Sequence, residues 1–173
     1  MDGVHEDIIK FASKLSTMSL DLWWNLAVES ELYKKYRTAF VSEIAYFSIS
    51  SGRRDVFRLM VQNGFDVDSE NSCGIKPIFM TVQRISTSGV SSLGIMKDLI
   101  FSGANINCED EASGLTPLMW AMDLSALAHF VILLDSGADV FYESKKMKMN
   151  SVEYAQEKKY YTNISIIREF VAQ

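Results

Sequence analysis

The residues of this chain that could ligate a metal or act as nucleophiles are few and widely spaced. Cys73 and Cys108 are the only cysteines, and neither belongs to a CxxC pair. A zinc site needs four ligands at close spacing, and His5 and His129 are distant from both cysteines in the sequence. We therefore interpret the cysteines as reduced structural thiols and predict no metal site.

Two other segments carry residue types that can bind ions or phosphates. The run Glu109-Asp110-Glu111 could attract a cation, but it lacks the alternating ligands and central glycine of a calcium loop. We interpret it as a solvated acidic loop. The segment 89–94 lacks the lysine and the glycine spacing of a phosphate-binding loop, and no Gly-x-Ser-x-Gly motif occurs. We expect His129 to lie on a helix surface or in a packing contact, and we predict no catalytic residue and no bound cofactor.

Length and composition are those of an ordinary globular domain. The chain has 173 residues, of which 48% are hydrophobic and 23% are charged, which argues against disorder. No apolar run approaches the roughly 20 residues of a membrane-spanning helix. The acidic N-terminus lacks the basic and apolar regions of a secretory signal. We expect a cytoplasmic protein with no membrane partner.

The charge distribution disfavours nucleic-acid binding. The formal net charge is −5, whereas nucleic-acid-binding domains usually carry a basic patch. Two short basic clusters, residues 34–37 and 145–148, are both flanked by acidic residues. We interpret them as solvated helix ends or loops and predict no DNA or RNA partner.

The clearest internal unit runs from Gly114 to Val140, GLTPLMWAMDLSALAHFVILLDSGADV. Thr116 is a candidate cap of a first helix, and Pro117 suits its first turn. Ala121 lets this helix pack closely against neighbours. Val131, Leu133 and Leu134 are spaced as the apolar face of a second, antiparallel helix. Gly137 is placed to end that helix in the left-handed conformation.

The closing pattern of this unit occurs twice more, at 99–107 and at 60–68. Gly103 and Gly137 are 34 residues apart, about one repeat length. Gly64 and Gly103 are 39 residues apart. We assign the surplus to the Ser/Gly-rich stretch 85–92, which we predict to be a lengthened loop between two helices.

More degenerate units flank these three patterns. Upstream, residues 42–51 and 54–63 occupy two helix positions on either side of Gly52. Downstream, residues 150–155 place an alanine 34 residues after Ala121. Ile164, Ile167 and Phe170 then predict a second helix with one apolar face. Terminal repeats are expected to be atypical because one face meets water.

These motifs resemble the ankyrin repeat, over about residues 40 to 173. The resemblance implies an all-α ankyrin-repeat solenoid of about four helix-pair repeats, at 39–72, 73–112, 113–146 and 147–173, forming one continuous domain. One departure concerns the histidine that usually follows Thr-Pro-Leu in the family. The equivalent residues are Met119, Phe79 and Glu153, so we expect apolar packing to replace the hydrogen bonds of that histidine between repeats.

Residues 1–38 do not fit the repeat, and we interpret them as an N-terminal helical cap. Apolar residues recur at helical spacing between Ile8 and Leu15. A second helical pattern extends from Leu20 to Tyr36, with Ser19 as its expected cap. We expect Trp23 and Trp24 to cover the end of the repeat stack, or one of them to bind a partner.

The resemblance to ankyrin repeats also implies where a partner protein binds. In that family the loops between repeats and the first helix of each repeat form the concave surface. Trp120 is the strongest single candidate because large aromatic residues often dominate binding energy. The acidic loop residues predict a partner with a basic surface. The complete set of candidate partner-binding residues is Trp120, Phe47, Met80, Tyr154, Asp123, Asp68, Glu70, Glu109, Asp110, Glu111 and Tyr142.

We therefore expect a non-enzymatic interaction module that sequesters or inhibits one protein partner. Two versions remain open: a toxin-neutralising protein of the immunity type, and a viral or pathogen protein that resembles ankyrin inhibitors of host transcription factors. The alternative is a scaffold or assembly subunit that uses its apolar N-terminal helices and end repeats. We expect a monomer or a weak homodimer.

Overall fold

The computed structural model describes residues 2–83 and 85–172, with side chains for all of these except Asp2 and residues 85–91. The described residues form ten α-helices and one short 3-10 helix, with no strand among them. This confirms the prediction of an all-α fold. The helices group into two compact units, Met1–Val67 and Asp68–Gln173. Met1, Arg84 and Gln173, which the predicted domain boundaries include, lie outside the described residues.

The first unit contains four of the α-helices and the 3-10 helix. In chain order these are α1 (Asp2–Ala12), the 3-10 helix (Ser13–Ser16), α2 (Leu20–Glu29), α3 (Glu31–Ser51) and α4 (Arg54–Gln62). Both α1 and α2 pack against α3, and α3 packs against α4. Gly52 separates α3 from α4 in the left-handed conformation, with φ of 72°. The helices predicted at 42–51 and 54–63 correspond to the second half of α3 and to α4.

Trp23 lies in the core of the first unit. Its side chain is fully buried, and its indole Nε1 donates to the Phe11 carbonyl at 3.1 Å. The Phe11 ring lies 5.5 Å from the Trp23 ring, and the Phe40 ring lies 6.1 Å from it. Trp24 is only half-buried, and its ring contacts Tyr33 edge-on. Trp23 therefore has a structural role, and of the two tryptophans only Trp24 is accessible.

The helix predicted from Leu20 to Tyr36 is interrupted at Ser30. Ser30 is extended, with ψ of 143°, and its hydroxyl accepts from the Tyr33 N–H at 3.2 Å as the cap of α3. A serine that caps the following helix competes with continuation of the preceding one. Helix α3 then continues to Ser51, with a kink at Tyr36. The predicted cap at Ser19 is confirmed, because its hydroxyl accepts from the Leu22 N–H at 3.3 Å.

The second unit contains six helices that associate in consecutive pairs. They are α5 (Pro77–Gln83), α6 (Ile85–Phe101), α7 (Pro117–Asp123), α8 (Leu127–Asp135), α9 (Ser151–Lys158) and α10 (Tyr161–Val171). Helix α5 packs on α6, α7 on α8 and α9 on α10. Between pairs, α7 contacts both α5 and α9, and α6 contacts α8. The first helices of the three pairs therefore form one layer of this unit.

The loop predicted at residues 85–92 is wrong, because the backbone of this stretch belongs to α6. Serine and glycine have low helix propensity, but no proline interrupts the segment. Continuing the helix satisfies the backbone hydrogen bonds that a loop would leave to water. The additional residues between Gly64 and Gly103 therefore lengthen a helix, and α6 has 17 residues where α8 has nine.

Two turns recur with the same backbone geometry. Gly64, Gly103 and Gly137 follow α4, α6 and α8 with φ of 93°, 90° and 88°. This confirms the left-handed helix end predicted at Gly137, a conformation that residues with a Cβ resist. Between paired helices, Ser125 and Lys159 also have positive φ, of 54° and 60°. The backbone of the second unit thus repeats with a period of 34 residues at Ser125 and Lys159.

The start of α7 is confirmed as predicted. Thr116 Oγ1 accepts from the Met119 N–H at 3.2 Å, and Pro117 occupies the first turn. Helix α9 begins in a related way at Asn150, whose side chain accepts from the Glu153 N–H at 3.0 Å. The Glu153 carboxylate accepts in return from the Asn150 N–H, also at 3.0 Å. Both helices thus have a defined first residue because a side chain satisfies their free amide groups.

The apolar faces of two helices differ from the predicted ones. Leu133 and Leu134 are buried as expected, but Val131 is 36% exposed and Phe130 is fully buried in its place. Helix α8 begins at Leu127, and the helical spacing places residues 130, 133 and 134 together on its buried face. In α10, Ile167 is buried as expected, whereas Phe170 is 36% exposed.

The three residues that align in the sequence with the histidine of ankyrin repeats differ in burial. Met119 and Phe79 are 0% and 1% exposed, so both are packed in the apolar core. Glu153 is exposed and serves instead in the cap at Asn150. Polar contact between pairs is supplied elsewhere by His129 of α8, whose Nε2 lies 3.1 Å from Ser92 Oγ of α6.

Candidate partner-binding surface

Trp120 lies on α7 with its ring partly exposed. One edge of the indole packs against Phe79 of α5, with ring centroids 5.1 Å apart in a T-shaped arrangement. Its Nε1 donates to Ser113 Oγ at 3.4 Å. An aromatic pair of this kind is worth about 0.5–1.5 kcal/mol beyond area burial. The indole is therefore held in one orientation while part of its surface remains accessible.

A cavity of about 200 Å³ adjoins the exposed part of Trp120. It is lined by Gln83 at the end of α5, by Leu115, and by Trp120, Asp123 and Leu124 of α7 and its end. Leu124 is 43% exposed, and Asp123 is also exposed. The cavity thus combines an apolar wall with one carboxylate, which suits an apolar side chain accompanied by a hydrogen-bond donor or cation.

Tyr154 does not lie on this accessible surface, although alignment of the repeats places Phe47, Met80, Trp120 and Tyr154 at equivalent positions. The side chain is only 3% exposed, and its hydroxyl donates to the Asp123 carboxylate at 2.8 Å. Tyr160 donates its hydroxyl to the same carboxylate at 2.8 Å. Tyr154 therefore joins α9 to α7, and its buried ring is not part of the accessible surface on which we predict partner binding.

The other two candidates from the first helices are partly accessible. Met80 of α5 is half-buried, and the Asn71 side-chain amide lies 3.7 Å from its sulfur. Phe47 is also half-buried, but it belongs to α3 of the first compact unit. In the second unit, Met80, Trp120 and Asp123 are accordingly the predicted helix residues that retain accessible surface.

The segment 109–111 is not the solvated acidic loop that we predicted. Asp110 is 6% exposed, and its Oδ2 accepts from the Ser113 N–H at 2.7 Å. The turn that begins at Asp110 has counterparts at Asn71 and Ser144, where side-chain oxygens also accept from backbone amides. Asp110 therefore stabilises a recurring turn, and we no longer count it among accessible binding residues.

Glu109 is also engaged within the chain. Its carboxylate accepts from the Lys145 N–H at 2.9 Å, from the Tyr142 hydroxyl at 3.1 Å and from Ser144 Oγ at 3.3 Å. Burial raises the pKa of Glu109, but these hydrogen bonds outweigh it, so the net pKa lies below the usual value. Glu109 and Tyr142, both predicted to bind a partner, instead hold two successive loops together.

The remaining acidic candidates differ in their exposure. Glu70 and Glu111 are exposed, whereas Asp68 is half-buried and its Oδ1 accepts from the Asn105 N–H at 2.9 Å. A cavity of about 570 Å³ among these loops is lined by acidic residues together with Lys76, Lys145 and Lys146. The loop surface therefore carries mixed charge, with three lysines beside the acidic residues from which we predict a partner with a basic surface.

Hydrogen bonds between successive loops involve residues that the sequence did not indicate. Asn107 Oδ1 accepts from the Asp139 N–H at 2.9 Å, which parallels the contact of Asp68 with Asn105. Lys146 Nζ donates to the carbonyls of Glu111 and Ala112. In the sequence, the only indication of this role for Asn107 is its position in the repeat, four residues after Gly103.

His129 and Cys108 are buried, whereas Cys73 is exposed. His129 is 2% exposed in the α6–α8 contact, and burial lowers its pKa below the usual value. Cys108 is buried, which raises the pKa of its thiol to about 11, and Cys73 is exposed. Within the described residues, no group of three or more His, Cys, Asp or Glu side chains is arranged to hold a metal ion.

Two further findings bear on the class of protein. Among the described residues, no helix is both long enough and apolar enough to cross a membrane. No known protein-family model matches the chain.

Proposed function

We propose that this chain is a non-enzymatic protein-binding module with an ankyrin-type repeat architecture. The Thr-Pro-Leu opening at Thr116 and the left-handed turn at Gly137 support this architecture. The 34-residue repetition of the turns at Ser125 and Lys159 supports it further. Stacked helix pairs of this kind leave one layer of first helices available to a partner.

Partner binding is assigned to the surface formed by Trp120, Asp123 and Leu124. The observation that carries the proposal is the partly exposed indole of Trp120 beside the cavity of about 200 Å³. A tryptophan that is already held by Phe79 loses little side-chain freedom when a partner binds. Such preorganised aromatic residues commonly contribute most of an interface's binding energy.

The partner is proposed to present a basic or hydrogen-bond-donating group next to an apolar side chain. Asp123 is the acidic group that lines the cavity, and Glu70 and Glu111 add exposed negative charge on the loops. Binding would inhibit or sequester the partner by covering its surface. A toxin-neutralising role and inhibition of a host protein by a pathogen are two versions of this cytoplasmic function.

The proposal is tested with three variants after affinity capture has identified a partner from the native source. Trp120→Ala removes the indole from the proposed surface, and Trp24→Ala is the matched control because Trp24 is also half-buried but lies on α2. We expect Trp120→Ala to weaken binding by about 2 kcal/mol or more and Trp24→Ala by under about 0.5 kcal/mol. Asp123→Asn should weaken it less than Trp120→Ala does.

Circular dichroism first identifies a temperature at which all variants are folded. Calorimetric titration at that temperature then measures a loss of binding that is independent of a loss of stability. Equal losses for Trp120→Ala and Trp24→Ala would reject the assigned surface. A partner that binds both Trp120→Ala and Trp24→Ala tightly would also reject the assigned surface.

A scaffold or assembly role is the second candidate, and the exposed side chains of Leu22 and Leu26 favour it. They are 53% and 47% exposed and lie one helical turn apart on α2. Sedimentation velocity over a wide concentration range tests this role. Self-association that Leu26→Glu abolishes would support it, and a monomer at all concentrations would reject assembly through copies of this chain.

A further inference from the structure

A third cavity, of about 410 Å³, lies in the unit Asp68–Gln173 where α8 and α10 begin. Leu127 of α8 and Tyr161 of α10 line it from two helices, and Met122 of α7 contributes a further apolar wall. The open space between the first turns of two neighbouring helices is a groove into which a side chain from another molecule can enter.

This groove is distinct from the surface around Trp120. Met122 follows Trp120 by two residues on α7, and two residues correspond to about 200° around a helix axis. The two side chains therefore project to nearly opposite sides of α7. A side chain in the groove would therefore leave the Trp120 ring uncovered, so variants at Leu127 and at Trp120 test the two sites separately.

The groove adjoins an exposed apolar patch. Leu127 and Val131, one turn apart on α8, are 47% and 36% exposed. Tyr161 is 71% exposed on α10. Single exposed apolar residues are ordinary, but a contiguous patch beside a concave site indicates an interaction surface.

The electrostatics of the groove favour a negatively charged group. Lys159 is the charged residue among those that line it. Neither α8 nor α10 has an acidic residue in its first turn, and no side chain within the described residues caps either helix. Free amide groups at helix N-termini carry partial positive charge. The first turns of two helices and one lysine residue therefore line the same cavity.

We propose that this groove binds an amphipathic helix of a partner protein whose apolar face is flanked by carboxylates. One large apolar side chain enters the cavity between Leu127 and Tyr161, and an adjacent Asp or Glu lies against Lys159. Recognition of an amphipathic helix in a groove through residues spaced one turn apart is a recurring binding mode. A second copy docking through this same surface is disfavoured, because a two-fold contact would bring two Lys159 side chains together.

Two synthetic peptides test the proposal against the full chain. Both are helical, with leucines at positions i, i+3, i+4 and i+7, and they differ only in flanking residues, Glu in one and Lys in the other. Fluorescence anisotropy is expected to show the Glu peptide binding at least about fivefold more tightly, since opposite charges attract across the contact. Leu127→Glu, which adds a carboxylate beside the cavity, should weaken the Glu peptide about tenfold or more.

Two further variants test whether the peptide binds at Lys159 and not at the Trp120 surface. Lys159→Asn keeps a residue type that tolerates the left-handed conformation and removes the charge, so the preference for the Glu peptide should fall below about twofold. Trp120→Ala should leave peptide affinity unchanged, which separates this inference from the proposed function. Because Leu127 and Lys159 are exposed, we expect both variants to melt like the unmodified chain.

Three outcomes would overturn the proposal. The first is equal affinity for the two peptides, and the second is binding that Leu127→Glu does not weaken. The third is self-association of the unliganded chain that Leu127→Glu abolishes, which would assign the groove to a second copy.

Discussion

The hydroxyl of Tyr154 donates to the carboxylate of Asp123 at 2.8 Å and thereby connects α9 to α7. Tyr154 is nearly fully buried, whereas Asp123 is exposed and lines the cavity beside Trp120. The carboxylate that we propose to contact a partner is therefore oriented by tyrosine hydroxyls from the next helix pair.

This contact predicts that Tyr154→Phe lowers stability and that most of the loss depends on Asp123. A hydrogen bond to a charged acceptor is worth about 1.5–3 kcal/mol when shielded from water, and exposure of Asp123 reduces this to about 1 kcal/mol. Urea unfolding of Tyr154→Phe, Asp123→Ala and the double variant measures the coupling. Strict additivity of the two single losses would show that the contact contributes nothing to stability.

Gly114 and Gly74 provide a matched pair for testing loop packing. Both have positive φ, of 76° and 73°. A Cβ at Gly114 would lie 2.6 Å from Lys146 Cβ, whereas a Cβ at Gly74 would have no neighbour within 4 Å. Both alanine variants should lose about 1 kcal/mol from the left-handed backbone, and Gly114→Ala should lose at least about 1 kcal/mol more. Equal melting temperatures for the two variants would contradict this account of the loop.

Because the His129 imidazole is buried, we predict that the chain loses stability on acidification. Burial lowers the pKa of its imidazole in the folded chain, so the unfolded chain binds the proton more readily. The contribution of neutral His129 to the free energy of unfolding is therefore fully present above the usual His pKa. It is lost as pH falls through the pKa of His129 in the folded chain. Thermal melts between pH 7 and 5 should show a shallower decline for His129→Gln than for the unmodified chain. His5→Gln, at an exposed site, is the control, and identical slopes for all three proteins would contradict the prediction.

Glu109 and Glu111 should respond differently to neutralisation although they are two residues apart. Glu109 accepts hydrogen bonds from Tyr142, Ser144 and Lys145, so Glu109→Gln should cost about 1–2 kcal/mol. Glu111 is exposed, and Glu111→Gln should change stability by less than about 0.5 kcal/mol. Differential scanning calorimetry at pH 7 compares them. A larger loss for Glu111→Gln would refute the assigned roles.

The features predicted correctly from the sequence are those that local residue types determine. Thr116 caps α7 because a hydroxyl next to a proline-containing first turn can satisfy free amide groups. Gly137 takes the left-handed conformation because residues with a Cβ are disfavoured there. Neither feature requires knowledge of a distant contact.

The features predicted wrongly depend on contacts between segments far apart in the chain. Charge pattern alone could not indicate that Asp110 is buried in a turn or that Glu109 accepts hydrogen bonds from a loop about one repeat later. Repeat alignment gave the position of Tyr154 but not its burial, which follows from the hydroxyl contact with Asp123. Low helix propensity suggested a loop at 85–92, where continuation of α6 satisfies the backbone instead.

We propose that a partner covers the surface around Trp120. The change in accessibility of this indole on complex formation tests the proposal most directly. Hydroxyl-radical footprinting with mass spectrometry measures Trp120 and Trp24 in the same sample, with and without the captured partner. The account predicts that oxidation of Trp120 falls several-fold in the complex while that of Trp24 is unchanged, as burial of a hot-spot aromatic residue requires. Equal oxidation of Trp120 in the free and bound protein would contradict it.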